Sequence, residues 1–144
     1  MQGTKTQVRE AMTRDVTVAG PEQTIQEAAR MMQKIDSGVL PVGSADRLIG
    51  MITDRDIALR AVGTGKGPDT RVREVMTEEV LYCFEDQEIE EVAHNMGDNQ
   101  LRRLPVLNRD KRLVGILSLA DVATSIEFEA AGDALSEISR PSGT

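Results

Sequence analysis

The sequence predicts an α+β fold built from two β-α-β-β-α repeats. The segment VREAMTRDV, which begins at residue 8, returns as VREVMTEEV at residue 72. The match continues later, where RLIGMITDRDIA corresponds to RLVGILSLADVA after a single inserted residue. A match of this length indicates a tandem duplication, and 144 residues suffice for one core of ordinary size. We therefore expect two repeats packed sheet to sheet with pseudo-twofold symmetry: repeat 1 at 7–63, a linker at 64–71, repeat 2 at 72–128 and a tail at 129–144.

Each repeat contains an amphipathic helix, because apolar residues recur at i, i+3, i+4 and i+7 in both copies. The stripes consist of Ile25, Ala28, Ala29 and Met32 in the first copy and of Ile89, Val92, Ala93 and Met96 in the second. A second helix is expected over about 54–62 and about 119–131. The tail from about Asp133 is expected to be a short helix followed by disorder.

The strands are predicted from short apolar runs bounded by turn residues. GVLPV and RRLPV are the first strand of a hairpin in each copy, and RLIGMIT and RLVGILS are the second, reached through GSAD and LNRDK. A further short strand is expected near DVTV and near VLYC. Since Pro41 and Pro105 cannot donate to a ladder, their strands should lie at a sheet edge or begin at the proline.

Composition excludes several classes of function. A net charge of −7 and a pI near 4.8 argue against a nucleic-acid polymer as partner. No apolar run approaches the ~18 residues of a membrane span, and no signal peptide is evident, so we expect a cytoplasmic protein without a membrane partner. The single cysteine, Cys83, allows no intramolecular disulfide and is expected to be buried and inert. His94, the single histidine, is expected at a solvated helix position.

The segment GMITDRD carries the candidate chemistry. Thr53 ends a strand and Asp56 lies three residues later, at the start of a helix, so hydroxyl and carboxylate face the same space. A carboxylate can accept the two adjacent hydroxyls of a ribose, while the hydroxyl and the free amides hold a phosphate. Ser118 and Asp121 repeat the arrangement in the second copy.

Two other readings of this segment stay open. Thr-x-x-Asp is also a variant of the capping box, and TIQE at 24–27 has the same spacing at a helix that no such strand precedes. Asp54 and Asp56 could form a carboxylate pair for acid–base catalysis. The second copy keeps only Asp121 of that pair, so an enzyme is the least favoured interpretation.

The motifs VREAMTRDV, SGVLPV and GMITDRDI, with their counterparts VREVMTEEV, RRLPV and GILSLADV, resemble paired cystathionine-β-synthase-type domains, or CBS pairs. The resemblance covers roughly 7–127, and the layout is similar to that of the stand-alone bacterial hypoxic response proteins. It implies a non-catalytic regulatory module that needs no cofactor and binds AMP, ADP, ATP or another adenosyl compound in clefts between the repeats, with or without magnesium. An unidentified protein effector would respond to occupancy.

The resemblance also implies the residues of two ligand sites. One would use Val16, Thr17, Ser37, Gly38, Val39 and Pro41 around the base, with Thr53, Arg55 and Asp56 for ribose and phosphate. The other would use Val80, Leu81, Leu101, Arg102, Arg103 and Pro105, with Ser118 and Asp121. Because the arginines occur in one copy only, we expect the site with Ser118 to bind phosphate more strongly.

CBS pairs commonly form dimers, so a homodimer is expected. Apolar residues beyond the core stripes are candidates for its surface: Met31, Leu59, Ile126 and Phe128. The alternative function is a structural or protein-interaction dimer with no physiological nucleotide ligand.

Overall fold

The computed structural model describes residues 6–98 and 102–125. Two compact units divide the chain: one is Thr17–Val80, and the other combines the chain up to Val16 with the chain from Leu81 onward. Both units mix helices and strands, so the predicted α+β class is confirmed. Within the described ranges, no helix has both the length and the apolar character needed to cross a bilayer.

The elements follow the predicted order with two differences: no strand forms at DVTV, where the next residue, Ala19, makes only an isolated bridge, and the short helix Val8–Ala11 was not predicted. The elements are α1 (Val8–Ala11), α2 (Ile25–Ile35), β1 (Val39–Ser44), β2 (Arg47–Thr53), α3 (Asp54–Asp56), β3 (Cys83–Phe84), α4 (Ile89–Asp98), β4 (Arg103–Leu107), β5 (Leu113–Ser118) and α5 (Leu119–Ser125). A π-helical turn, Ile57–Ala61, and a 3-10 turn, Val62–Thr64, continue α3, and a separate 3-10 turn covers Val72–Glu74. The predicted regular helix over 54–62 is therefore wrong in its hydrogen bonding, although the segment is helical throughout. The end of the other predicted second helix, from 126 to 131, and the tail lie outside the described residues.

The amphipathic helices bury the predicted stripes with one exception. In α4 all four predicted residues are buried, whereas in α2 Ala29 is exposed and only Ile25, Ala28 and Met32 face the core. Helix α2 begins at a capping box in which the Glu27 amide donates to Thr24 Oγ1 at 3.1 Å and the Thr24 amide donates to Glu27 Oε1 at 2.9 Å. It ends at Asp36, whose left-handed φ of 55° turns the chain towards β1.

Each unit contains an antiparallel hairpin. Strands β1 and β2 pair around a two-residue turn in which Ala45 and Asp46 both have positive φ, as the tightest hairpin turns require. In the other unit the strand order is β3-β4-β5, with β3 parallel to β4. Ala19 plays the role of β3 in the first unit, forming a parallel bridge to Val42.

The edge-strand prediction is wrong for Pro105, because β4 lies between β3 and β5. Its missing donor is tolerated there, since β3 pairs only with Val106 and Leu107, beyond the proline. Pro41 is placed similarly: its carbonyl accepts from the Ala19 amide at 2.9 Å, and Ala19 pairs with the next residue, Val42. Both prolines are buried.

The opening segment of each sequence repeat packs into the unit that holds the other repeat's hairpin. The Val8 amide donates to the Gln87 carbonyl at 2.9 Å, and the equivalent Val72 amide donates to the Gln23 carbonyl at 2.8 Å. Thr13 and Ile116 then exchange two backbone hydrogen bonds of 2.8 and 2.9 Å. Thr77 and Met51 exchange two of the same lengths. The compact units consequently differ from the sequence repeats in where these segments belong.

Candidate functional site

The residues of the Thr-x-x-Asp motif lie at the junction of β2 and α3. Thr53 has an extended backbone, with φ −119° and ψ 162°, and caps the helix. The Asp56 amide donates to Thr53 Oγ1 at 3.0 Å, and the Thr53 amide donates to Asp56 Oδ2 at 3.0 Å. Hydroxyl and carboxylate are thereby held side by side in a complete capping box.

The second unit repeats this geometry at the junction of β5 and α5. The Asp121 amide donates to Ser118 Oγ at 3.0 Å, and the Ser118 amide donates to Asp121 Oδ2 at 3.0 Å. The capping interpretation is therefore correct for both copies. It does not use up the acids, because a carboxylate accepts about four hydrogen bonds and the box occupies one of them.

The two carboxylates differ in their surroundings. In the first unit the Asp56 side chain is only 15% exposed, and its Oδ1 lies 3.9 Å from Nε of Arg60. The corresponding residue four positions after Asp121 is Ser125, which carries no charge. The free oxygen of Asp56 therefore faces a cation on its own helix, while Asp121 has no such residue at that spacing.

The strand that opens each hairpin brings the predicted base-pocket residues beside the motif. Val39 is the cross-strand partner of Thr53, and Arg103 is the partner of Ser118. Residues directly opposite each other on paired strands project to the same face of the sheet. Arg103 therefore shares a face with Ser118, whereas Arg102 lies just before the start of β4.

A matched exchange of residues distinguishes the two junctions. The Asp54 amide donates to the Gly38 carbonyl at 2.9 Å, and the Leu119 amide donates to the Arg102 carbonyl at 2.8 Å. A Cβ on Gly38 would lie 2.7 Å from Asp54 Oδ2, so the glycine leaves room for that carboxylate. In the second copy Arg102 replaces the glycine and the buried Leu119 replaces the acid. The sequence shows both changes, but only the structure shows that they are coupled.

A cavity of about 340 Å³ adjoins the first junction within the unit Thr17–Val80. It includes two predicted residues, Ser37 and Gly38, and it adds Asp54, which the sequence analysis considered only as a catalytic acid. Thr53 and Asp56 are not among its lining residues. The remaining lining residues were not predicted: Ala29, Met32, Gln33, Asp36 and Ile57. No sequence signal identified them, because Ala29 and Met32 belong to the stripe that was predicted to be core.

The other predicted residues lie where the chain changes units or outside the described ranges. The chain passes from one unit to the other between Val16 and Thr17 and again between Val80 and Leu81. Leu81 is 55% exposed. Arg55, predicted to contact ribose and phosphate, is exposed on α3. Leu101 lies outside the described residues.

The remaining candidates for reactive or metal-binding groups are Cys83, His94 and clusters of acidic side chains. Cys83 is buried, and desolvation raises the pKa of its thiol to about 12, so the thiolate is scarce at neutral pH. His94 is an exposed helix residue, as predicted, but it does have a neighbour, with Nε2 3.6 Å from Asp98 Oδ2. Over 6–98 and 102–125, no three His, Cys, Asp or Glu side chains are grouped so that they could hold a metal ion.

Comparison with known proteins gives a consistent picture. The CBS domain model matches residues 8–63 and 72–127. The chain is 41% identical over 133 residues to the CBS domain-containing protein YhcV of Bacillus subtilis, covering 92% of this chain and 94% of that protein. It is 37% identical over 127 residues to hypoxic response protein 1 of Mycobacterium tuberculosis, covering 87% of this chain and 88% of that protein.

Solved structures share the fold. The structure of hypoxic response protein I with two coordinated zinc ions matches with a TM-score of 0.76 and 37% identity, over 85% of this chain and all of that one. The CBS domain pair of protein MJ0100, solved with 5′-methylthioadenosine and S-adenosyl-L-methionine, matches at 0.72 and 28% identity, over 84% and 95%. CBSX2 in complex with AMP matches at 0.72 and 25% identity, over 82% and 93%. The chain thus belongs to the CBS domain family and carries two copies of the domain.

Proposed function

We propose that this CBS pair is a non-catalytic regulatory module that binds an adenine nucleotide or a related adenosyl ligand. The observation that carries the proposal is the repetition of one geometry: both units hold a hydroxyl and a carboxylate side by side at a strand end, as Thr53 with Asp56 and Ser118 with Asp121. The family relatives MJ0100 and CBSX2, each solved with adenosyl compounds, support this choice of ligand class.

The residues divide the ligand between them. The free oxygen of Asp56 or Asp121 accepts the ribose hydroxyls, since a carboxylate is a charged acceptor with spare lone pairs. The hydroxyl of Thr53 or Ser118 donates to a phosphate. Ser37, Gly38 and Val39 flank the first motif, and the base rests against them or their second-copy counterparts. No step of this scheme needs bond making or a resident cofactor.

The two sites differ in the ligand charge that they favour. Arg103 shares a sheet face with Ser118, so its guanidinium is placed to pair with the phosphates of a ligand held by Ser118 and Asp121. At the corresponding position the first unit has Val39, and Asp54 adds a negative charge nearby. The second motif therefore favours ADP or ATP, and the first favours less highly charged adenosyl compounds.

A calorimetric screen tests the proposal directly. AMP, ADP, ATP, S-adenosylmethionine and NADH are titrated into the full chain, each with and without magnesium. We expect saturable binding of at least one of them. Heats no larger than those of dilution for every ligand, with the fold intact by circular dichroism, would reject nucleotide binding. Turnover of a bound nucleotide would instead show an enzyme.

The second candidate is a homodimer that acts through protein contacts alone and transmits no nucleotide signal. The closed capping boxes give the motif residues a role without a ligand, and Leu59 and Val62 are exposed on the helical segment after β2, at 55% and 69%. This candidate predicts that dimer formation persists and that every titration is flat. Under either function a protein effector would bind this protein, and a stable homodimer would present it with a defined surface.

A further inference from the structure

Arg60 contacts both the candidate site and a backbone segment far along the chain. Its Nε lies 3.9 Å from Asp56 Oδ1. Its Nη1 donates to the Met76 carbonyl at 3.2 Å and to the Val75 carbonyl at 3.4 Å. One planar guanidinium therefore touches the free oxygen of the motif acid and two consecutive carbonyls of another segment.

That segment is itself tied to the strand that carries the motif. Val75 is fully buried, and the next residues reach Thr77, which exchanges two backbone hydrogen bonds with Met51, of 2.8 and 2.9 Å. Met51 precedes Thr53 by two residues on β2. From Thr77 the chain runs to Val80, the last residue of this compact unit. The segment 75–77 is thus held both by the Arg60 side chain and by the backbone hydrogen bonds between Thr77 and Met51.

We propose that Arg60 is a positioning residue that couples the state of Asp56 to the segment 75–80. An ion pair at 3.9 Å whose arginine is half exposed is loose, so it adds little stability by itself. The ion pair matters because Arg60 competes for Asp56 Oδ1 with other hydrogen-bond donors. A donor that binds Asp56 Oδ1 weakens the attraction between the carboxylate and Arg60. The guanidinium then redistributes its donors over the carbonyls of Val75 and Met76. Where the donor is a hydroxyl of the bound ligand, the inference rests on the proposed function.

The second copy has a serine in place of this arginine and supplies an internal control. Ser125 stands four residues after Asp121, where the first copy has Arg60 after Asp56. The corresponding backbone pairing, between Thr13 and Ile116, is present with lengths of 2.8 and 2.9 Å. A mutation of Asp121 therefore alters the same capping box with no arginine four residues later in the helix.

A double-mutant cycle followed by amide hydrogen exchange tests the coupling in the ligand-free full chain. Arg60→Gln should speed exchange of the Thr77 and Met51 amides by about fivefold. Asp56→Asn, which frees the guanidinium for the two carbonyls, should slow exchange by about fivefold, and the double variant should match Arg60→Gln. Asp121→Asn should change exchange at Thr13 and Ile116 by less than about twofold. Independent, multiplying effects of the two first-unit mutations would overturn the proposal, as would an unchanged Thr77 amide in Arg60→Gln.

A ligand arm separates failure of this inference from failure of the proposed function. In wild type, AMP should slow exchange at Thr77, and in Arg60→Gln that protection should disappear while AMP still binds. If AMP binds and protects Thr77 equally in both proteins, the coupling is refuted and nucleotide binding stands. If no adenosyl compound binds the wild type, the proposed function fails, and the ligand-free cycle still decides the role of Arg60.

Discussion

Gly50 faces the backbone of Thr77 so closely that a Cβ on the glycine would lie 2.7 Å from the Thr77 carbonyl oxygen. The sulfur of Met76 would be 3.0 Å from the same Cβ. In the second copy a Cβ on Gly115 would lie 2.5 Å from the Met12 sulfur and 3.0 Å from the Thr13 carbonyl oxygen. The glycine that opens each Gly-x-x-Thr/Ser-x-x-Asp motif therefore makes room for a Met-Thr segment of the chain.

Gly50→Ala should destabilise the protein by about 1–3 kcal/mol, because a carbonyl oxygen cannot move without breaking the paired backbone. Gly115→Ala should cost less, since its nearest neighbour is the flexible end of Met12. Gly20→Ala is the matched control: its new Cβ would meet only Gln23 side-chain atoms, at 3.7 and 3.8 Å. Urea unfolding measures all three. Equal stability of the Gly50 and Gly20 variants would contradict the packing role.

Asp56→Ala and Asp121→Ala should each abolish one nucleotide site while leaving the fold intact. Losing the acid of a capping box costs only ~0.5–1 kcal/mol, whereas losing hydrogen bonds to a charged acceptor lowers affinity by about a hundredfold. Glu27→Ala is the control, because Glu27 forms the same box with Thr24 at the start of α2. It should lower stability and leave calorimetric binding unchanged. A variant at Asp56 or Asp121 that melts earlier yet binds normally would assign that acid to capping alone.

Arg103→Ala should weaken ATP binding at the site of Ser118 by about tenfold or more, since it removes a charge-assisted bond. Arg102→Ala should have little effect, because Arg102 precedes β4 and the residue paired with Ser118 is Arg103. The loss should shrink at high salt, and adenosine binding should be unaffected. Equal effects of the two substitutions in calorimetry would show that sheet face does not select the phosphate contact.

Leu59→Asp and Val62→Asp should convert the expected homodimer into a monomer, because a carboxylate on an apolar contact must be desolvated without a partner. Gln26→Asp, at an exposed position of α2, controls for added charge. Light scattering at micromolar concentration gives the mass of each protein. A monomeric wild type would reject the predicted homodimer. If both variants remained dimeric, Leu59 and Val62 would not belong to the dimer interface.

The stability of the protein should fall in alkaline solution partly because of Cys83. The native thiol keeps its proton up to a pKa of about 12, whereas an unfolded thiol loses it near 9.0. The unfolded state therefore binds fewer protons between these values, and the free energy of unfolding drops by up to about 1.4 kcal/mol per pH unit in that window. This contribution is fully present below pH 9. Urea unfolding of wild type and Cys83→Ala at about pH 8 and about pH 10 checks it; parallel losses in the two proteins would refute it.

The elements were predictable because periodicity reports burial one segment at a time. The stripe of α4 was predicted completely. The strand RLIGMIT has the predicted bounds, and the strand predicted as RLVGILS begins one residue later, at Leu113. The prediction that Ala29 is buried was wrong for a physical reason. Alanine has so little apolar surface that exposing it at the edge of a helix face costs little free energy. The motif pairs Thr53 with Asp56 and Ser118 with Asp121 were found because three-residue spacing is itself the geometry of a helix start.

Contacts between residues far apart in the chain could not be predicted from the sequence. The repeated segment VREVMTEEV contains Thr77, but nothing in it shows that Thr77 pairs with Met51, so the packing role of Gly50 was missed. The role of Arg60 is similar, because its backbone partners lie fifteen and sixteen residues away. The irregular hydrogen bonding after Asp56 was also hidden, since IALRA has good helix formers and no proline or glycine.

The exchange of opening segments between repeats bears on how the molecule can be cut and rearranged. A fragment ending at 63, where the first repeat ends in sequence, would lack the Met-Thr segment that fills the space over Gly50. A fragment of 17–80 keeps that segment and is the smaller piece with the better claim to independence. The other unit is split in sequence, so it could be excised only as a circular permutant with its two stretches joined. A gene that copies one sequence repeat alone would thus encode most of one unit and the opening segment of the other, rather than one whole unit.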